Sequence, residues 1–276
     1  MISNILNAYK SPLEKALAHD LQSFGPPSTL RDAIAYALKN GKRFRPAIAY
    51  LVAKALGHEE NVTDAAVAIE YFHTASLIAD DLPCMDNDDE RREHPSLHKA
   101  FNEATAILAS YALIAAGYDK IREGAEKLGR PDIGMLALEN ASLNTGILGA
   151  TGGQYHDLYP KTFDEAYILD IIDKKTGTLF EISFVFGWLF GGGDLSLLDT
   201  VKQAALSFGR AFQISDDFLD LEQDGNGMNY PAIAGTEQAM HLLKTELNLY
   251  YTSLKNLSLE TPELLALGKM IESRIE

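Results

Sequence analysis

Apolar residues recur at i, i+3 and i+4 almost from end to end of this chain, and the two-residue alternation of a half-buried strand is nearly absent. That periodicity admits helices packed on helices and little else. "STLRDAIAYALKNG" has Ser28 or Thr29 as a helix start and Gly41 as its stop. "RPAIAYLVAKALG" places Pro46 in a first turn and Gly57 past the end. Further helices are expected over residues 63–80, 100–117, 132–148, 163–190, 195–222 and 236–257, joined by short loops rich in Gly, Pro and Asp. The expected fold class is all-α, a single domain over residues 1–276 with eight to ten helices.

Several classes drop out on composition. The most apolar run, "LFEISFVFGWLFGGG", holds Glu181 and Ser183 and stops after about a dozen residues, where a membrane crossing needs roughly 20. The first twenty residues lack a basic start, a sustained apolar stretch and a small-residue cleavage site, so no secretion signal is expected. A single cysteine, Cys84, excludes an internal disulfide and fits a reducing, cytoplasmic setting. A net charge of −15 argues against nucleic acid, which is bound through a basic face. A small anionic ligand would need a local basic cluster, or metal ions held by acids.

Both are present. In "SLIADDLPCMDNDDERREHP", residues 76–95, an apolar helical run ends in Asp80, Asp81, Asp86, Asp88, Asp89 and Glu90, followed at once by Arg91 and Arg92. "FQISDDFLDLEQD" repeats the pattern half a chain later with Asp216, Asp217 and Asp220. Asp216 and Asp220 are i, i+4, so their carboxylates share a helix face that also carries inward-facing residues. Like charges at that spacing weaken a helix, and burial adds to the cost. Either cluster alone reads most simply as a solvated or capping acid group. Two of them at apolar helix ends point to Mg²⁺, which takes hard oxygen ligands: one or two carboxylates plus waters and phosphates. In "GKRFRP", Lys42, Arg43 and Arg45 precede a helix N-terminus, which binds phosphate through free N–H groups. "KKTG", Lys174 to Gly177, offers a cation and a hydroxyl on an otherwise apolar helix. His73 lies two turns before Asp80 on nearly the same face, placed to donate to a phosphate.

Together these residues resemble the trans-isoprenyl diphosphate synthases, in particular the geranylgeranyl and farnesyl diphosphate synthases. "GKRFRP", "EYFHTASLIADDLPCMDNDDERREHPSLHKAFNEATAIL", "GGQYHDL", "KKTGTLF" and "FQISDDFLD" stand in the family's order between about Leu30 and Asp220. The resemblance implies an isoprenoid synthase helical bundle, usually a homodimer, with two acid clusters facing each other across a deep central cavity. It implies Asp80 and Asp86 as first-cluster Mg²⁺ ligands with Asp81 supporting, and Asp216 as the second-cluster ligand with Asp217 and Asp220 beside it. Lys42, Arg45, His73 and Arg92 match the isopentenyl diphosphate site; Arg91, Lys175, Thr176 and Gln213 match the groups that hold the allylic substrate. The implied cofactor is Mg²⁺, three ions with diphosphate bound. In the implied mechanism the neutralised allylic diphosphate leaves, and the allylic cation alkylates isopentenyl diphosphate. Loss of a proton then gives a chain five carbons longer.

Product length is argued from the helix before Asp80. Ser76 and Ala75, four and five residues earlier, line the cavity about 6–7.5 Å deeper. In this family a bulky aromatic there stops the chain at C15, so a small pair implies C20, with Phe72 as the floor. Farnesyl diphosphate (C15) is the alternative product. Two departures from the family pattern stand out. No Lys or Arg occurs between Arg210 and Lys244, where the family has two lysines, and Met228 stands near one expected lysine. Ala79 replaces a histidine common before the Asp pair. These departures imply weakened catalysis, or a degenerate regulatory subunit of a prenyl synthase. A class I terpene cyclase would share the fold but not the all-Asp "DDFLD" or "GKRFRP". A di-iron carboxylate bundle would need a second partner for the Glu70–His73 ExxH pair, and the sequence has none.

Overall fold

The computed structural model describes residues 2–221 and 229–275. In chain order the first helices are α1 (Ile2–Asp20), α2 (Thr29–Ala37), α3 (Phe44–Ala55), α4 (Thr63–Asp80), α5 (Leu97–Ala100), α6 (Glu103–Lys127) and α7 (Pro131–Thr145). They are followed by α8 (Ala150–Leu158), α9 (Glu165–Ile172), α10 (Thr178–Phe190), α11 (Leu198–Leu219), α12 (Tyr230–Ala234), α13 (Thr236–Asn256) and α14 (Pro262–Ile275). The all-α class holds, and each expected segment is helical. The helix count exceeds eight to ten because α1, α8 and α14, among others, carry weak start signals. The first turn of α8 reads "ATGG", a poor intrinsic helix former held by its packing. Of the stretch without Lys or Arg between Arg210 and Lys244, residues 222–228, Met228 among them, lie outside the described residues.

Two helices form the centre. α4 and α10 are apolar on nearly every side, the pattern of a helix surrounded by others. All of α10 but Glu181 is buried, and Glu181 accepts N–H bonds from Asn140 and Asn144 of α7 at 2.7 and 2.9 Å. The most apolar run is therefore a core helix, and no described helix is long and apolar enough to cross a membrane. α4 packs between α3 and α6, and α11 between α10 and α13. α9 does not run straight into α10: Asp173–Gly177 form a single π turn, the kind of helix defect that re-aims side chains at functional sites.

Both acid-bearing helices end at their acids. α4 stops at Asp80 with Asp81 as its C-cap, and α11 stops at Leu219 with Asp220 as its C-cap. Carboxylates at a helix C-terminus oppose the dipole, so each cluster raises the demand for a cation. Beyond α4, strands β1 (Glu90–Arg91) and β2 (His94–Pro95) pair antiparallel around a two-residue turn of Arg92 and Glu93.

Candidate active site

A cavity of about 470 Å³ opens between α4, α6, α8 and the π turn. Asp80 and Lys175 line it together with Ala75, Ser76 and Phe72, so the first acid, the predicted cation and all three predicted depth residues share one chamber. Along α4, Ser76 lies about 6 Å and Phe72 about 12 Å from the level of Asp80. Phe72 packs edge-on against Tyr118 of α6 at 5.2 Å, and the Tyr118 hydroxyl is bonded to Thr145 at 2.8 Å, which closes the far end.

The carboxylates differ in what they already hold. Asp80 is half-buried and makes no side-chain hydrogen bond or ion pair among the described residues. Burial pushes it up to about 6, with Lys175 pulling down and Asp86 and Asp81 pushing up. Asp86 accepts only a long bond from Gln154, at 3.3 Å. Asp81 is buried and occupied: it takes Arg91 Nε and Nη2 at 2.8 and 2.5 Å, while Arg91 also reaches Asp88 at 2.7 Å. Asp217 is occupied too. Its two oxygens accept from Gln213 at 2.8 Å and from the Tyr230 backbone N–H at 2.9 Å, tying α12 to α11. Burial pushes Asp217 up to about 6 despite those bonds. Asp216 is half-buried and paired with Arg274 at 2.5 Å; Asp220 is exposed.

The π turn joins the two clusters. Lys175 bonds Asp157 at 2.5 Å and feels Asp86 and Asp80; burial works against its charge, and these acids more than restore it. The next residue, Thr176, donates to Gln213 at 2.7 Å, and Gln213 donates in turn to Asp217. Gly153, from the "GGQ" stretch, lets α8 lie on this turn, since a Cβ there would stand 2.6 Å from the Lys175 backbone nitrogen.

The basic residues serve both clusters: Arg91 binds Asp81, while Arg45 and Lys42 act on Asp216. Arg45 is half-buried, lies over the Phe180 ring at 4.8 Å, and has no carboxylate partner within ion-pair distance among the described residues. Burial lowers it to about 10, still charged at neutral pH. His73 stands 3.4 Å from Arg45 and is held well below its ordinary value by burial and by Arg45, Arg92, Arg43 and Arg91, so it is neutral. Its Nδ1 and Arg45 Nε are both buried without a partner. Lys42 is exposed, and its charge reaches Asp216. Arg92 bonds Glu70 at 3.0 Å. Glu70 takes Arg43 as well, which uses it as an ion-pair partner and removes the ExxH di-iron reading.

Sequence reasoning missed Arg274. It sits in the last turn of α14, over the Phe212 ring at 4.7 Å, and pairs with Oδ1 of Asp216. Pro262 and the apolar spacing of Leu264, Leu267 and Ile271 mark the helix, but nothing in the sequence says where its end docks. Asp157 and Gln154 were missed as partners of Lys175 and Asp86; both lie within "GGQYHDL".

Among the described residues no three His, Cys, Asp or Glu groups converge into a ready metal cage. The donors are hard carboxylate oxygens from two helix ends, and Asp80 is half-buried with no side-chain partner among the described residues. That set fits Mg²⁺, which needs only one or two carboxylates when phosphates and waters complete its shell.

The polyprenyl synthetase family model matches residues 27–237. A farnesyl diphosphate synthase of Geobacillus stearothermophilus is 33% identical over 290 residues, covering 99% of this chain and 98% of that one. Geranylgeranyl pyrophosphate synthase 4 of Arabidopsis thaliana is 34% identical over 241 residues, covering 79% and 63%. An apo FPP/GFPP synthase from Zymomonas mobilis superposes with a TM-score of 0.86 at 28% identity, covering 98% of this chain and 99% of that one. With its acids at two helix ends and these matches, the chain belongs to the polyprenyl synthetase family, the trans-isoprenyl diphosphate synthases.

Proposed function

We propose that this prenyltransferase condenses isopentenyl diphosphate with allylic diphosphates and yields mainly geranylgeranyl diphosphate. One observation carries the reading: an uncompensated carboxylate, Asp80, and a fixed cation, Lys175, stand at the rim of a cavity whose deeper wall is apolar and lined by small residues. The relatives include both farnesyl and geranylgeranyl synthases, so the C20 product rests on Ala75 and Ser76 alone.

Lys175, Arg91, Thr176 and Gln213 bind and orient the allylic diphosphate. Lys175 is braced by Asp157 and Arg91 by Asp81, so both cations are fixed before charge develops on the leaving group. Lys42, Arg45, His73 and Arg92 take isopentenyl diphosphate. The Arg45 charge has no carboxylate within ion-pair distance among the described residues, and neutral His73 serves as an N–H donor. Asp80, Asp86, Asp216 and Asp220 would hold Mg²⁺, three ions with diphosphate bound, which neutralises the departing diphosphate. Asp217 acts through Gln213 and the α12 backbone. The apolar chamber keeps water from the allylic cation. Purified protein, Mg²⁺, radiolabelled isopentenyl diphosphate and each allylic primer test this directly. C20 product is expected, and C15 accumulating without C20 would overturn the length assignment.

A homodimer belongs to the same reading. Ile107, Leu108 and Tyr111 of α6, Leu143 of α7, and Ile147 and Leu148 beyond it are exposed, Ile147 to 80%. Such a patch marks an interface on a soluble protein. Gel filtration at twice the mass of one chain is the expected result.

Metal binding should depend on pH with a definite sign. The folded values of about 6 for Asp80 and Asp217 lie above the ordinary carboxylate value of roughly 3.9. The native state thus binds more protons between these limits, and these two groups make the metal-free chain more stable as pH falls from 7 toward 4. Mg²⁺ competes with the proton on Asp80. The rise in melting temperature on adding Mg²⁺ and inorganic diphosphate should be full at pH 8 and fade as pH falls through 6. An equal rise at pH 5 would contradict the assignment.

A further inference from the structure

We propose, resting on that function, that Glu70 is the positioning residue of the isopentenyl diphosphate site. It fixes Arg92 of the hairpin against the "GKRFRP" turn, so that two separate loops present one basic surface. Glu70 lies in the middle of α4 and is fully buried. Its Oε1 accepts from Arg43 Nη1 at 2.5 Å, Arg92 Nη2 at 3.0 Å and the Thr74 hydroxyl at 3.2 Å. Its Oε2 is enclosed without a partner. A buried carboxylate with one idle oxygen is costly, and apolar residues fill such a position more cheaply unless the charge has a task.

The backbone around it is strained in two places. Arg43 and Arg92 both adopt φ of +56°, and Glu93 follows Arg92 at +66°. Arg92 and Glu93 thus occupy both central positions of a type I′ hairpin turn, where Asn or Gly is the favoured choice. Strain of that kind persists where surrounding contacts over-determine it. Here the contacts are the Glu70 bond and two longer ones from Arg92 Nη1 to the carbonyls of Ala37 and Lys39, at 3.3 and 3.5 Å. Gly41 completes the fit: a Cβ there would lie 2.3 Å from Arg43 Nη1 and 3.0 Å from Arg92 Nη1.

The two arginines play different parts. Arg43 is consumed by the fold: besides Glu70 it bonds Glu14 at 2.8 Å and the Leu38 carbonyl. Arg92 is half-buried and anchored, with donor capacity left over. His73 is three residues beyond Glu70 on the same α4 face, and Arg45 is two beyond Arg43. Glu70 therefore holds at fixed spacing the groups that meet one anion, and it touches neither substrate nor metal itself.

The test is calorimetric titration of isopentenyl diphosphate into wild type, E70Q, R92M and the double variant, with steady-state kinetics alongside. E70Q should weaken isopentenyl diphosphate binding about 10- to 100-fold, the scale of one mispositioned charged hydrogen bond. The KM for the allylic primer should stay at the wild-type value, and the double variant should bind no more weakly than R92M alone. E70D keeps the charge but falls short by one methylene; it guards against E70Q failing to fold and should show the same selective loss. Wild-type affinity in both variants, or losses that add to those of R92M, would overturn the role of Glu70 alone. Wild type that binds no isopentenyl diphosphate would overturn the proposed function, and Glu70 with it.

Discussion

Asp80→Asn should lower kcat/KM by about 10²- to 10³-fold while leaving the metal-free chain as stable as wild type or more so. The two halves of that expectation have one cause. Asp80 is half-buried at a helix C-terminus, near Asp81 and Asp86, and no described side chain bonds it. Its charge is thus a liability in the folded chain until a cation arrives, and a neutral amide removes the liability together with the metal ligand. Asp217→Ala should behave oppositely in stability. That carboxylate holds Gln213 and the α12 backbone, and its loss strands a buried N–H at a cost of about 1–3 kcal/mol. Paired measurements of melting temperature with EDTA and of steady-state turnover separate the two. A D80N variant that melts well below wild type, or works within about tenfold of it, would show that Asp80 is a structural acid.

The division of labour inside the clusters is what the sequence could not give. Acid clusters, the "KKTG" stretch and the arginines are all legible as residue types at helix ends, and helical periodicity located α4 to the residue. Which oxygen is free is a tertiary fact. Asp81, Asp216 and Asp217 look equivalent to Asp80 in a string of letters, yet all three are engaged by neighbours from other segments and Asp80 is not. The π turn was equally hidden, because one extra residue in a helical ladder leaves the apolar spacing nearly intact while re-aiming Lys175 and Thr176. Arg274 belongs to the same class. Its helix is marked in the sequence, but its pairing with Asp216 depends on how α14 docks against α11, a contact between residues 58 positions apart. Arg43 shows the converse: a basic motif read as ligand-binding contains one arginine spent on internal ion pairs.

Ala75→Tyr should shift the product to a chain at least one isoprene unit shorter, without abolishing turnover. Ala75 lines the cavity about 7.5 Å along α4 from Asp80, above Phe72 and beside Ser76. A phenol placed there would occupy the space a growing chain must enter, while the acids and cations of both clusters keep their positions. The α4–α6 contact sets the tolerance of the substitution. Ser110 of α6 donates to the Ala75 carbonyl at 3.0 Å, and that bond uses the backbone, so the side chain is free to change. Ala75 is buried where the cavity wall meets the core, so the new ring displaces packed neighbours as it enters the cavity, and the stability cost should be the roughly 1–3 kcal/mol typical of overpacking. The direction holds whatever the wild-type length: a C20 enzyme should stop at C15, and a C15 enzyme at C10. Phe72→Ala should act the other way, since removing the ring opens the space in front of Tyr118 and lengthens the product. Product chromatography from one primer reads both variants together. An unchanged profile for A75Y at wild-type turnover would take Ala75 off the path of the growing chain.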